Sequence, residues 1–94
     1  MNMTTHIVFW KLKPENMEEN AAEIARRIGA LVGVVPGLLD ATVGRNTNGG
    51  EYDLALVSHH ESMEALHAYD KHPAHEEVRK FVRGVVEARA AVDF

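Results

Sequence analysis

The stretch His6-Ile7-Val8-Phe9-Trp10-Lys11-Leu12-Lys13 constrains the chain more than any other. Its β-branched and aromatic residues predict a strand, and that strand is apolar on both faces for most of its length. Side chains alternate along a strand, so His6, Val8, Trp10 and Leu12 point one way while Ile7, Phe9, Lys11 and Lys13 point the other. A sheet built around it needs apolar cover on both sides. The chain has 94 residues, which makes one domain with a two-layer core and little margin. Cysteine is absent, so neither disulfides nor a thiolate metal site supplements that core. The second cover must come from a partner.

The order of the remaining segments says which fold this strand enters. After Pro14, Asn16 followed by Glu19 resembles a capping box, and Met17, Ala21, Ile24, Ile28, Leu31 and Val35 recur at helical spacing. They predict an amphipathic helix that ends before Pro36-Gly37, with Glu18, Glu23, Arg26 and Arg27 on a solvated outer face. Leu38 to Arg45 reads as a second strand, with Leu39, Ala41 and Val43 on one side and Asp40 and Thr42 on the other. The Asn46-Thr47-Asn48-Gly49-Gly50 turn leads back into a third strand, Tyr52 to His59. Two helices follow. Glu87 to Ala91 suit a helix as well as a strand, and Ala88 to Phe94 is assigned as a closing strand because Gly84 interrupts the helix before it and because a fourth strand closes the sheet. The order βαββαβ predicts an α+β, ferredoxin-like antiparallel sheet with its helices on one face. Ile7, Phe9, Ala55 and Val57 then lie on the bare face. Pairing two copies face to face, as a homodimer, buries them.

Chemically able side chains gather between Ser62 and Val86. Ser62 is placed to cap a helix bearing Met63, Leu66 and Tyr69 on one face, which stops near Lys71. Pro73 disfavours helical geometry at His72 and suits the first position of a new helix. In that helix Val78, Phe81, Val82 and Val85 form the buried stripe, Gly84 is read as the stop, and His75 sits one turn before the stripe. An imidazole near the core and close to a phenol has two readings. His75 either takes an α-proton from a carbonyl compound while Tyr69 holds the enolate, or it fixes the joint between the helices through a backbone bond and the protein is a stable stress or ligand-binding module of undefined role. His72 reads as an exposed residue before Pro73, and His6 as a candidate cavity-lining group.

Composition excludes several classes. A net charge of −4 with scattered Lys and Arg argues against nucleic acid, and no apolar run approaches a membrane span. The N-terminal residues lack a leader pattern, so a cytoplasmic protein without a membrane or nucleic-acid partner is expected. His59 and His60 fall on opposite faces of a strand and do not chelate together, which speaks against zinc on them and His67. The Asn46 to Gly50 loop has no following helix and reads as a turn, not a phosphate loop.

His6-Ile7-Val8, Pro36-Gly37, Val43-Gly44-Arg45-Asn46, Tyr52 to Val57, Ala68-Tyr69 with His72-Pro73-Ala74-His75, and Val92-Asp93-Phe94 together resemble the stress-responsive A/B barrel (Dabb) domain family. The resemblance covers essentially the whole of residues 1–94. It implies a dimeric α+β barrel with a small apolar pocket in each subunit, suited to an apolar or carbonyl-containing ligand. The family includes boiling-stable plant stress proteins and a plant polyketide cyclase. By resemblance to that cyclase, His75 and Tyr69 match its acid/base pair and His6 matches a histidine beside its pocket. Ala25 and Ile28 stand where the cyclase has aromatic residues, and Trp10 faces the same side. The resemblance also implies a weak, magnesium-like ion on the main-chain carbonyls of Val32, Val35 and Leu38, with no other cofactor. Cofactor-independent monooxygenases share the barrel architecture and give a further reading by analogy of fold.

Overall fold

A computed structural model describes residues 2–94. Its elements run β1 (Thr4–Leu12), α1 (Met17–Gly29), β2 (Leu38–Arg45), β3 (Leu54–His60), α2 (Met63–Lys71), α3 (Pro73–Val85) and β4 (Val86–Asp93). The strands form one antiparallel sheet in the order β2-β3-β1-β4. The ferredoxin-like arrangement expected from the sequence is therefore present, with the second helical segment split at His72-Pro73.

The two faces of β1 part as alternation requires. Val8, Trp10 and Leu12 are buried against the helices with Leu54 and Leu56 of β3, while Phe9 on the other face stays 42% exposed. Ile7 opposes Val57 and Phe9 opposes Ala55 across the β1–β3 ladder, so these four share the uncovered face. The helical layer is held to the sheet by Ala21, Ile24 and Ile28 of α1, Leu66 and Tyr69 of α2, and Val78 and Val82 of α3. Arg27, on the face read as solvated, lies over the Phe81 ring at 4.2 Å and ties α1 to α3 through a cation–π contact.

Several boundaries differ from the sequence reading, each for a local reason. Asn16 adopts a left-handed conformation (φ 54°) and its side chain makes no capping bond, so the capping box does not form. Helix α1 stops at Gly29, not Val35, and the chain continues in turns through Gly33 at φ 88°. Glycines at 29 and 33 weaken a continuing helix, yet Leu31 and Val35 still reach the core. A register shift between Leu38 and Asp40 turns Leu39 outward, leaving Leu38 buried in its place and Leu39 48% exposed. Gly84 does not stop α3. The helix runs through it to Val85, and Val86 is extended at once. The Val85 carbonyl accepts from the Lys13 N–H at 2.9 Å and the Gly84 carbonyl from Lys13 Nζ at 3.2 Å, so residues after β1 satisfy the helix end.

Gly37 is a glycine the fold requires. Its φ is 82°, and a Cβ there would lie 2.7 Å from the Ala65 Cβ on α2. Gly37→Ala combines left-handed strain with a clash in the layer that carries the site. It should lower stability by roughly 2–4 kcal/mol, read from urea unfolding, with the denaturant slope unchanged.

Candidate functional site

The two helices place the candidate residues by their ends. The Ser62 hydroxyl accepts from the Ala65 N–H at 3.0 Å, fixing the start of α2, and Leu66 and Tyr69 point into the core while Met63 stays exposed. His72 is extended, as a residue before proline prefers, and its Nδ1 accepts from the Ala74 N–H at 3.0 Å. It is therefore half-buried and caps α3, where the sequence reading left it exposed. Pro73 opens α3, and His75 falls in its first turn, half-buried beside Tyr69.

A cavity of about 260 Å³ lies between the sheet and α3. Its apolar wall includes Val8, Trp10, Leu56, Ile28, Val78 and Val82, and His6, Tyr69 and His75 all open onto it. The structure thus brings the three candidates together. Tyr69 stacks on His75 with ring centroids 4.2 Å apart and an interplanar angle of 31°, and meets His6 edge-on at 6.3 Å. Trp10 and Ile28 line the cavity as expected, but Ala25 does not and faces a separate shallow depression with Val43. A wider depression of about 510 Å³ lies on the bare sheet face around Phe9, Tyr52, Ala55 and Val57.

Burial sets the protonation of the stacked pair. It pushes the Tyr69 phenol up to about 12, so the ring stays a neutral hydrogen-bond donor at neutral pH. It also holds His75 below the usual imidazole value, with a bond from the imidazole to the Asp70 carbonyl opposing the effect and the Arg79 guanidinium adding to it. His75 is then neutral and able to accept a proton. Its Nδ1 lies 3.4 Å from the Asp70 carbonyl and 3.2 Å from Arg79 Nη2, and these contacts demand opposite tautomers. Donation to the carbonyl leaves Nε2 free as a base. Acceptance from Arg79 puts the proton on Nε2 instead. Arg79 Nη2 also donates to the Asp70 carbonyl and to its carboxylate, both at 2.6 Å, which draws it toward Asp70. His6 is oriented by an Nδ1 bond to the Asp93 carboxylate, and the tautomer that donates there leaves Nε2 as an acceptor.

A fourth member of the cluster, His60, was legible in the sequence only as half of a rejected metal pair. It is fully buried, and its ring lies 4.8 Å from Tyr69 and 6.2 Å from His6. Counting by twos from Leu54, Leu56 and Ser58 puts it on the inner face, which is the signal that finds it. Its Nε2 bonds the Ser58 hydroxyl at 3.0 Å and its Nδ1 is unpartnered among the described residues. His59, on the other face, pairs with Asp40 at 2.7 Å, and His67 is exposed. Among the described residues no group of His, Cys, Asp or Glu side chains is arranged to hold a metal ion.

Burial, with His6 nearby, lowers His60 to about 4. The unfolded chain binds a proton there near the ordinary imidazole value, so between about 6.5 and about 4 it carries more protons than the native state. Stability present above that window is lost as pH falls through it. His75 adds in the same direction. The melting temperature of the parent chain should fall across this range, and His60→Phe should flatten the slope. An equal slope in both would refute the assignment.

Val32, Val35 and Leu38 occupy the turns between α1 and the start of β2. The Val35 carbonyl already accepts from the Leu38 N–H at 3.3 Å, and the donor set is neutral main chain. Such carbonyls fit a hard cation in kind, with oxygen ligands but no carboxylate among these three residues. Among the described residues no helix is long and apolar enough to cross a membrane.

An antiparallel sheet covered by helices on one face, with a His- and Tyr-lined cavity beneath them, defines an α+β protein of ferredoxin-like type. The chain belongs to the stress responsive A/B barrel domain family, which it matches over residues 4–94. None of the curated proteins matches it in sequence. Among solved structures it resembles a dimeric protein of unknown function and ferredoxin-like fold from Bacteroides fragilis, 28% identical over 98% of this chain and 94% of that one, with a TM-score of 0.80. A hydroxynitrile lyase from Passiflora edulis superposes with a TM-score of 0.87 at 17% identity, covering 99% of this chain and 92% of that one. A Dabb family protein from Mesorhizobium loti gives 0.83 at 19% identity, covering 100% and 96%.

Proposed function

We propose that this chain is an acid–base enzyme of the A/B barrel family that binds a small carbonyl compound between its sheet and α3. The observation that carries this reading is the cavity of about 260 Å³ opening onto Tyr69 and the imidazole stacked on it. His75 takes the α-proton, and Tyr69, kept protonated by burial, donates to the developing enolate oxygen. His6, held by Asp93, lines the cavity on the sheet side and offers a second acceptor. A purely structural role for His75 has weaker support, since its backbone contact is long at 3.4 Å. The test is exchange of α-protons with deuterated water, followed by NMR on a panel of small ketones and β-ketoacyl thioesters. No exchange above the buffer rate with any of them would exclude the reading. The monooxygenase alternative is supported only by shared architecture.

The active unit in this proposal is a homodimer joined through the bare sheet face, as the Bacteroides fragilis protein is dimeric. Phe9 at 42% and Val92 at 60% exposure support it, because they leave apolar surface that a second copy covers. A hard cation on the carbonyls of Val32, Val35 and Leu38 belongs to the proposal as a weak, structural ligand. Magnesium at its own dissociation constant adds roughly 0.4 kcal/mol to stability, so at that concentration the melting temperature should rise by only about two to three degrees. Unfolding on adding a chelator, or zinc that survives dialysis, would contradict it.

A further inference from the structure

We infer that the compound held in the cavity carries an anionic oxygen group, and that Arg83 and Arg89 at its edge select for that group. This rests on the acid–base reading above and names the substrate class of the same site. Strand β4 is an edge strand, and its register sets Arg89 opposite Trp10 and Asp93 opposite His6, on the face that bears the cavity. Helix α3 supplies Arg79 and Arg83 to the same lining. Three guanidiniums therefore line the cavity with one carboxylate, that of Asp70, while Glu76 outside the lining pairs with two of them, in a chain whose net charge is −4.

Their commitments differ. Arg79 is occupied by Asp70 at 2.6 Å and Glu76 at 2.7 Å. Arg83 reaches only Glu76, at 3.9 Å, and is 67% exposed. Arg89 has no carboxylate or hydrogen-bond partner among the described residues. Asp93 is bonded to His6 and makes no ion pair with Arg89 among the described residues. Trp10 adds a buried indole N–H on the cavity wall that has no hydrogen-bond partner among the described residues. Uncommitted donors of one sign beside an apolar cavity favour an anion, and the guanidinium fork matches the oxygens of a carboxylate or phosphate. Size narrows the class. The volume of 260 Å³ equals about nine waters at ~30 Å³ each, so the carbonyl and the anion belong to one short molecule.

Four probes test this as two pairs: levulinate against methyl levulinate, and dihydroxyacetone phosphate against dihydroxyacetone. Binding is read by calorimetry and α-proton exchange by NMR, on the parent chain and on Arg89→Gln, Arg83→Gln, the double variant carrying both, and His75→Ala, each first checked by thermal melting. At least one anion should bind about tenfold more tightly than its neutral counterpart, and Arg89→Gln or the double Arg variant should abolish that ratio. Which pair shows the ratio identifies carboxylate or phosphate. His75→Ala should lose exchange and keep the ratio. Equal binding within both pairs, a ratio unmoved by the Arg variants, or no binding of any probe would overturn the inference. A preserved anion ratio without exchange in the parent chain would instead overturn the acid–base reading and leave the anion site standing.

Discussion

His75→Ala is expected to lower the rate of α-proton exchange by on the order of 10²–10⁴-fold, the usual contribution of a positioned general base. The imidazole is held below its ordinary value by burial and is neutral at working pH, so its removal takes away the proton acceptor and not a charge that folding needs. Tyr69→Phe should reduce the rate less, because it deletes one hydrogen-bond donor to the enolate and leaves the base in place. Tyr69 is 1% exposed and the phenylalanine ring fills the same space, so folding should hold. The competing role predicts a different pattern. If the Nδ1 contact with the Asp70 carbonyl is what matters, His75→Ala should cost roughly 1–3 kcal/mol of stability and leave exchange unchanged. Melting curves and exchange rates on the same two variants separate these outcomes, and no change in either quantity would remove both roles.

Val57→Asp is expected to convert a dimer into a monomer. Val57 lies across the ladder from Ile7 on the bare face, in the depression that also holds Phe9 and Ala55. In a two-fold interface one substitution introduces two carboxylates into a dry surface, at a cost of several kcal/mol. Sedimentation at micromolar concentration should show the shift, and stability should fall with it, since a chain of 94 residues has a small core of its own. A parent chain that sediments as a folded monomer at that concentration would show that the face needs no partner.

The alternation of β1 and β3 and the proline break between α2 and α3 were readable directly. The two faces of β1, the opposition of His59 and His60, and the division of α2 from α3 at His72-Pro73 all follow from bond geometry that acts over one or two residues. Boundaries fixed by distant partners were not. The capping box at Asn16 fails although its residue types are right, because the backbone there is left-handed. Gly84 was read as a stop, yet α3 passes through it, and its end is set by Lys13 at the far end of β1. Counting along β2 puts Leu39 on the side of Ala41 and Val43, and a register shift against β3, invisible in β2 alone, separates it from them.

The candidate site divides the same way. Local periodicity is enough to make Tyr69 and His75 neighbours across a helix break and to point His6 to the inner face. Only the tertiary structure decided that His6, His60 and His75 surround one tyrosine, that a cavity opens there, and that Arg89 from the last strand joins Arg79 and Arg83 at it. The physical reason is separation along the chain. His6 and Asp93 stand 87 residues apart and meet because β1 and β4 pair, and no local preference encodes the register that joins them.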